Sequence, residues 1–181
     1  MNKYRSKIAI LAALIAAGLA LYASGGGEAA AGAGIESSAR PKSLCAAREQ
    51  TIWTCTTTRA KVLSICASKD LAEDRGYVQY RYGVPGKVEL EYPKERKDSA
   101  QKFRYTRYTR PLVTMLTLSF ENDGFSYVLE DDDMEEEKPA VREATVEVTK
   151  GAEKTATIKC KTPPAGSLMK LEDIVPRDES N

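Results

Sequence analysis

The stretch SFENDGFSY, residues 119–127, holds two alternating segments on either side of the pair Asp123-Gly124. Asp-Gly is a favoured two-residue connection between antiparallel strands, because both positions of the turn need a positive φ that these residue types tolerate. With that turn, Asn122 faces Phe125, Phe120 faces Tyr127 and Leu118 faces Leu129. The apolar sides of the two strands then coincide, whereas a slip of one residue would turn one of them to water. Turn chemistry and alternation point to a single register, as a real hairpin requires.

Working outward from this hairpin, the same period of two recurs from Thr51 onward. VELEY sets Val88, Leu90 and Tyr92 against Glu89 and Glu91. LVTMLTLSF groups Leu112, Leu116, Leu118 and Phe120, and FSYVL groups Phe125, Tyr127 and Leu129. ATVEV groups Ala144, Val146 and Val148, and ATIKC groups Ala156, Ile158 and Cys160. In VTKGAEKTA a loop centred on Ala152 pairs Val148 with Ala156 and Val146 with Ile158. Further strands are read at 51–56, 61–66, 77–82 and 103–110. In the second of these Leu63 and Ile65 share a face, while Cys66 lies on the other with Val62. In the third, Tyr80 and Tyr82 share a face opposite Tyr77, which suits a ring that packs while its hydroxyl reaches a wet rim. SKDLAEDRG has room for one helical turn, with Ser68 as N-cap and Gly76 as stop. The expected fold is all-β: an antiparallel barrel or sandwich of about eight or nine short strands, stapled by disulfides.

The chain has 181 residues, with 27 basic and 26 acidic side chains and no histidine. That length suits one domain, and the balance of charge gives no field to steer it onto nucleic acid. Lys3, Arg5 and Lys7 precede an uncharged apolar run at 8–21, followed by small residues. A spanning helix needs about 20 apolar residues, so the run reads as a secretory leader, with an uncleaved anchor as the alternative. Only that anchor would tie the protein to a membrane. The expected divisions are a signal peptide at 1–24, a flexible Gly/Ala/Ser-rich linker at 25–43, a β domain at 44–162 and a C-terminal tail at 163–181. Loss of the leader with its three basic residues leaves 24 (27 − 3) against 26 acidic ones. The expected location is the periplasm or the exterior.

Cys45, Cys55, Cys66 and Cys160 are even in number and follow an export signal, which favours two disulfides. Three connectivities are open. The preferred one joins Cys55 to Cys66 across a short loop and Cys45 to Cys160 between the first segment and the last strand. No Cys-x-x-Cys pair and no histidine is present, so neither a metal nor another cofactor is expected.

Two stretches stand out for binding. KFRYTRYTRP, residues 102–111, interleaves aromatic and basic side chains. That is one way to hold single-stranded nucleic acid. It also reads as an amphipathic strand, with Arg104, Thr106, Tyr108 and Arg110 opposite Phe103 and Tyr105. The strand reading is preferred, and no nucleic-acid partner is expected. EDDDMEEE, residues 130–137, places seven acids in eight positions directly after the FSYVL strand and is read as a loop. Asp131, Asp132, Asp133, Glu135, Glu136 and Glu137 are the candidate partner-binding residues. A solvated acidic loop, a dock for a basic protein and a cation site are the three readings, and the last lacks the glycine-containing spacing of a calcium loop. Basic residues of 94–110 are also available to pair with the run internally.

Catalytic patterns are poor. Without histidine, Ser-His-Asp and Cys-His arrangements are impossible within the chain, and no phosphate-cradling glycine loop occurs. No carboxylate pair is singled out for glycoside hydrolysis. The chain is expected not to be an enzyme.

TIWTC, KVLSICASKDL, GYVQYRYG, VELEYP, LSFENDGFSYVL, VEV and IKC together resemble a group of exported bacterial proteins without assigned function, over most of residues 45–160. The resemblance implies a periplasmic β domain. In architecture alone the chain is also similar to periplasmic inhibitors of c-type lysozyme, exported β-barrels that insert a loop into the enzyme's cleft. Their Ser-Gly-rich inhibitory loop has no counterpart here, so no inhibitory residue carries over. The expectation is an exported, non-enzymatic β domain that binds a protein in the cell envelope, with inhibition of a basic enzyme as one mode. The alternative is a structural protein held at the membrane by its N-terminus, and the third is a hydrolase of unrecognised type.

Overall fold

The structure is a computed structural model that describes residues 42–179. The expected leader and most of the linker lie outside the described residues. All the regular elements are strands apart from two short 3-10 turns. In chain order the strands are β1 (Glu49–Thr56), β2 (Val62–Ser68), β3 (Val78–Val84), β4 (Lys87–Tyr92), β5 (Arg104–Arg110), β6 (Val113–Asn122), β7 (Phe125–Met134), β8 (Val141–Lys150), β9 (Glu153–Lys159) and β10 (Ala165–Gly166). They form two antiparallel five-stranded sheets, in the orders β10-β1-β2-β3-β4 and β5-β6-β7-β8-β9. No helix among the described residues is long and apolar enough to cross a membrane.

The hairpin at Asp123-Gly124 has the register its sequence implies. Asn122 pairs with Phe125, Phe120 with Tyr127 and Leu118 with Leu129. Asp123 and Gly124 have φ of 52° and 78°, the positive values that this turn requires. The β8–β9 pairing also agrees, Val146 with Ile158 and Val148 with Ala156, with a bulge just beyond.

Phe120 is the centre of the core. Its ring stacks on Tyr127 at 4.7 Å and on Tyr92 at 4.4 Å, and meets Tyr80 at 5.0 Å and Phe103 at 5.5 Å. Tyr80 and Tyr92 belong to the first sheet and Phe120 and Tyr127 to the second, so both sheets share one apolar interior. The hydroxyl of Tyr80 does not reach a wet rim. It is buried without a hydrogen-bond partner.

Several expectations need correction. The disulfides join Cys45 to Cys66 and Cys55 to Cys160, not Cys55 to Cys66 and Cys45 to Cys160. The reason is facial. Cys55 sits opposite Leu63 and points into the core, while Cys66 sits opposite Thr51 and points out of it. Both faces of β2 are covered, because residues 42–46 lie as a strap over the outer one. Leu44 N donates to Ser64 Oγ at 3.0 Å, and Ser43 and Thr51 share a hydrogen bond at 2.9 Å. The segment 68–76 forms no helical turn. Ser68 ends β2 and its Oγ accepts from Tyr77 N at 3.1 Å. Leu112 does not share the inward face of β6. Pro111 and Leu112 make the turn before that strand, with Leu112 at φ 64° and 56% exposed.

The segment read as a tail supplies core. Leu168 and Leu171 are fully buried and Val175 nearly so. Gly166 pairs with Trp53 at φ 87°, and a Cβ there would lie 2.1 Å from Ile52 O, so only glycine lets β10 come so close to β1. Beyond it, Tyr105 N donates to Pro176 O at 2.9 Å and Asp178 N to Tyr105 O at 3.0 Å, which covers part of the β5 edge.

Candidate functional site

The acidic run is not a loop as far as Met134. It continues β7, paired on one side with β6 and on the other with β8. Alternation therefore sorts its carboxylates. Asp131 is in phase with Tyr127 and Leu129 and points into the interior. Asp132 points the opposite way, with Glu130 and Met134.

Asp131 is only 2% exposed. Trp53 Nε1 donates to its Oδ2 at 2.9 Å. Arg142 Nε donates to Oδ1 at 3.0 Å and Nη2 to Oδ2 at 2.7 Å, a bidentate pair. The same guanidinium reaches Gly166 O at 3.0 Å. Asp131 thus belongs to the fold: it ties β7 to β1 and, through Arg142, to β10. A partner has no access to it.

The other acids of the run are distributed differently. Asp133 is half-buried and lines small cavities of about 130 and 220 Å³ beside Thr114. Glu135 N donates to Leu112 O at 2.8 Å, which joins the turn after β7 to the turn before β6. Glu136 forms a two-point pair with Arg110, at 2.6 and 2.5 Å. That pair holds the Glu136 carboxyl below its usual range and is the internal pairing expected for the basic 94–110 segment. Glu137 is exposed and has no ion pair among the described residues.

The outer face of the second sheet can be read across its strands. One row runs Tyr108, Met115, Asp132, Glu143 and the next runs Arg110, Val113, Met134, Val141. Seven large apolar side chains are well exposed among the described residues, and Tyr108, Leu112, Met115 and Val141 are four of them. Tyr108, Met115 and Val141 lie at this end of the face, and Leu112 is in the turn beside it. Asp132 stands among them, half-buried. Burial, then Glu130, Asp131 and Glu143, push its carboxyl above the usual range. Of these side chains, Tyr108 lies on the side of β5 that the sequence assigns it. Met115 and Glu143 carry no signal beyond being out of phase with the core residues beside them.

The outer face of the first sheet is closed. Arg81 uses its whole guanidinium: Nε on Glu91 at 2.6 Å, Nη1 on Glu49 at 2.5 Å and Leu44 O at 3.2 Å, and Nη2 on Glu49 at 2.9 Å and Gln79 at 2.8 Å. Glu49 also accepts from Ala46 N at 2.6 Å and from Tyr77 OH at 2.8 Å. Burial pushes the Glu49 carboxyl up, but the bonds from Arg81, Ala46 N and Tyr77 outweigh it and hold it at about 2. Cys45, Glu49 and Cys66 bring their ligand atoms within 4.8 Å of one another. Both sulfurs are bonded to each other and Glu49 is gripped by Arg81, so this trio is committed to holding the strap.

A groove of about 580 Å³ runs along β4 and is lined further by Lys102 and Asp123. Its lining carries charges of both signs, and Glu89 and Glu91 are already paired with Lys61 and Arg81. Comparison with protein-family models, with curated proteins and with solved structures finds no match to this chain.

Proposed function

We propose that this is an exported, disulfide-stapled β-sandwich of the periplasm or exterior that acts by binding another protein and not by catalysis. The observation that carries the reading is the outer face of the second sheet, where exposed apolar side chains surround carboxylates without an internal counter-ion. Contiguous apolar exposure rimmed by polar groups is characteristic of protein-binding surfaces. The sandwich reading is supported by the shared Phe120–Tyr80 interior and by sheets that keep separate edges. Export is supported by two disulfides, which form and persist in oxidising compartments.

A non-catalytic role is supported by what the buried acids do. Glu49 and Asp131 are both neutralised by arginine, and Glu49 is held near 2, the wrong direction for a general acid at neutral pH. An acid-rich face suits a basic enzyme as its target.

The test is affinity capture from envelope extracts with the oxidised full chain, together with a lysozyme inhibition assay. Saturable capture of a partner supports binding. Failure to capture any partner, with no inhibition at micromolar concentration, overturns it.

A further inference from the structure

We infer that the docking surface is the Tyr108–Val141 end of the outer face of β5–β8, and that its partner is a basic protein that seats a Lys or Arg side chain on Asp132. This deepens the protein-binding reading and rests on it. It also moves the contact away from the acidic turn that follows β7 and onto the flat of the sheet.

Three features fit together. First, the register places Asp132 between Met115 and Glu143, with Tyr108 one strand further on. An aromatic and a thioether beside a carboxylate give an apolar anchor and a charge in one footprint, the combination found at the centre of protein interfaces. Second, the charge at this end is uncompensated. Asp132 and Glu143 have no ion pair among the described residues, and Glu130 receives only Thr145 Oγ1 at 3.3 Å. The cations of this face stand at its edges: Arg104 and Arg110 on β5, and Lys159 and Lys154 on β9, the last paired with Glu147 at the far end of β8. Arg110 is already held by Glu136. A positive side chain from outside is what the centre lacks, and opposite potentials across an interface favour that partner over an acidic one. Third, Leu112 projects at 56% exposure from the turn at the end of the same patch. It extends the apolar footprint without adding to the core.

The other acids of the run are poorer candidates. Glu136 is occupied by Arg110, and Asp131 is internal. The groove along β4 carries charges of both signs and offers no single class of partner.

The experiment uses the oxidised full chain, labelled for amide NMR, with c-type lysozyme and cytochrome c as basic probes and serum albumin as an acidic one. The expected result is saturable binding of at least one basic probe that weakens as salt is raised. Shift changes should be centred on Tyr108, Met115, Asp132 and Glu143. Asp132→Lys and Met115→Glu should each weaken binding by at least about tenfold, while the charge-matched Glu137→Lys should change it by less than about threefold. Leu112→Gly, which relieves a positive φ, should weaken binding without loss of fold. Amide spectra away from the substitution confirm that each variant is folded.

If Glu137→Lys matters as much as Asp132→Lys, or if the shifts map elsewhere, this face is wrong and the protein-binding reading stands. If neither basic probe binds but a partner is captured from extracts, the assigned partner chemistry is wrong. If nothing binds at all, the broader reading fails and this inference with it.

Discussion

Trp53 on β1 donates its indole N–H to Asp131 on β7 across the interior, at 2.9 Å, and Arg142 holds the same carboxylate from the other side. A buried carboxylate that loses its cation remains buried and uncompensated. Arg142→Ala should therefore cost about 3–5 kcal/mol, and Asp131→Ala a similar amount. The double variant Asp131→Leu/Arg142→Met should cost less than the sum of the two single changes. Urea unfolding followed by Trp53 fluorescence measures this directly, since the chain has one tryptophan. Additive losses would show that Asp131 and Arg142 do not act together.

The Arg81–Glu49 cluster sets an acid limit. The Glu49 carboxyl falls from 4.5 to about 2 on folding, so the stabilisation it brings is complete above 4.5. It is lost as pH falls from 4.5 through about 2. That shift corresponds to about 3 kcal/mol. Glu49→Gln should lower stability at neutral pH by roughly that amount, and the gap to the unsubstituted protein should close as pH falls through this window. A gap that stays constant down to pH 2 would contradict it.

The two disulfides should differ in weight. Cys45–Cys66 closes a separation of 21 residues and Cys55–Cys160 one of 105. On loop entropy, replacing the first pair by alanine should cost about 3 kcal/mol and the second about 5 kcal/mol. Peptide mapping without reduction should recover these two pairings, and a Cys55–Cys66 peptide would refute the arrangement.

Tyr80 carries a hydroxyl with no partner in the apolar interior, and burial raises its pKa far above the ordinary tyrosine range. Tyr80→Phe should therefore be neutral or stabilising, by up to about 1 kcal/mol. A loss larger than this on thermal unfolding would mean that the hydroxyl is satisfied.

The sequence reads well where the signal is local. Asp123-Gly124 and the alternation around it settle the hairpin, because turn chemistry and strand period are both properties of neighbours in the chain. The acidic run misleads for the opposite reason. Its composition suggests a solvated loop, yet the period of Phe125, Tyr127 and Leu129 continues to Asp131, and that of Ala144, Val146 and Val148 runs back to Arg142. The sequence therefore holds the inward placement of both charges. What it lacks is the pairing that makes their burial tolerable. The cysteine partners are not legible, since Cys45 lies in an irregular strap whose position depends on distant strands. The two residues of β10 and the buried Leu168 and Leu171 carry too short a pattern to be read as core.

The strap has a mechanical consequence. Tension arriving through the chain before Lys42 meets Cys45, which is covalently bonded to the middle of the first sheet and not merely hydrogen-bonded to its surface. From there the shortest covalent route to the C-terminal segment runs along β1 to Cys55 and across to Cys160. Strands β3 to β9 form a loop outside that route, and Cys45–Cys66 closes a side branch through β2. A pull from either end is carried by β1 and the Cys55–Cys160 bridge, and the sheet face that carries Asp132 lies outside the loaded route.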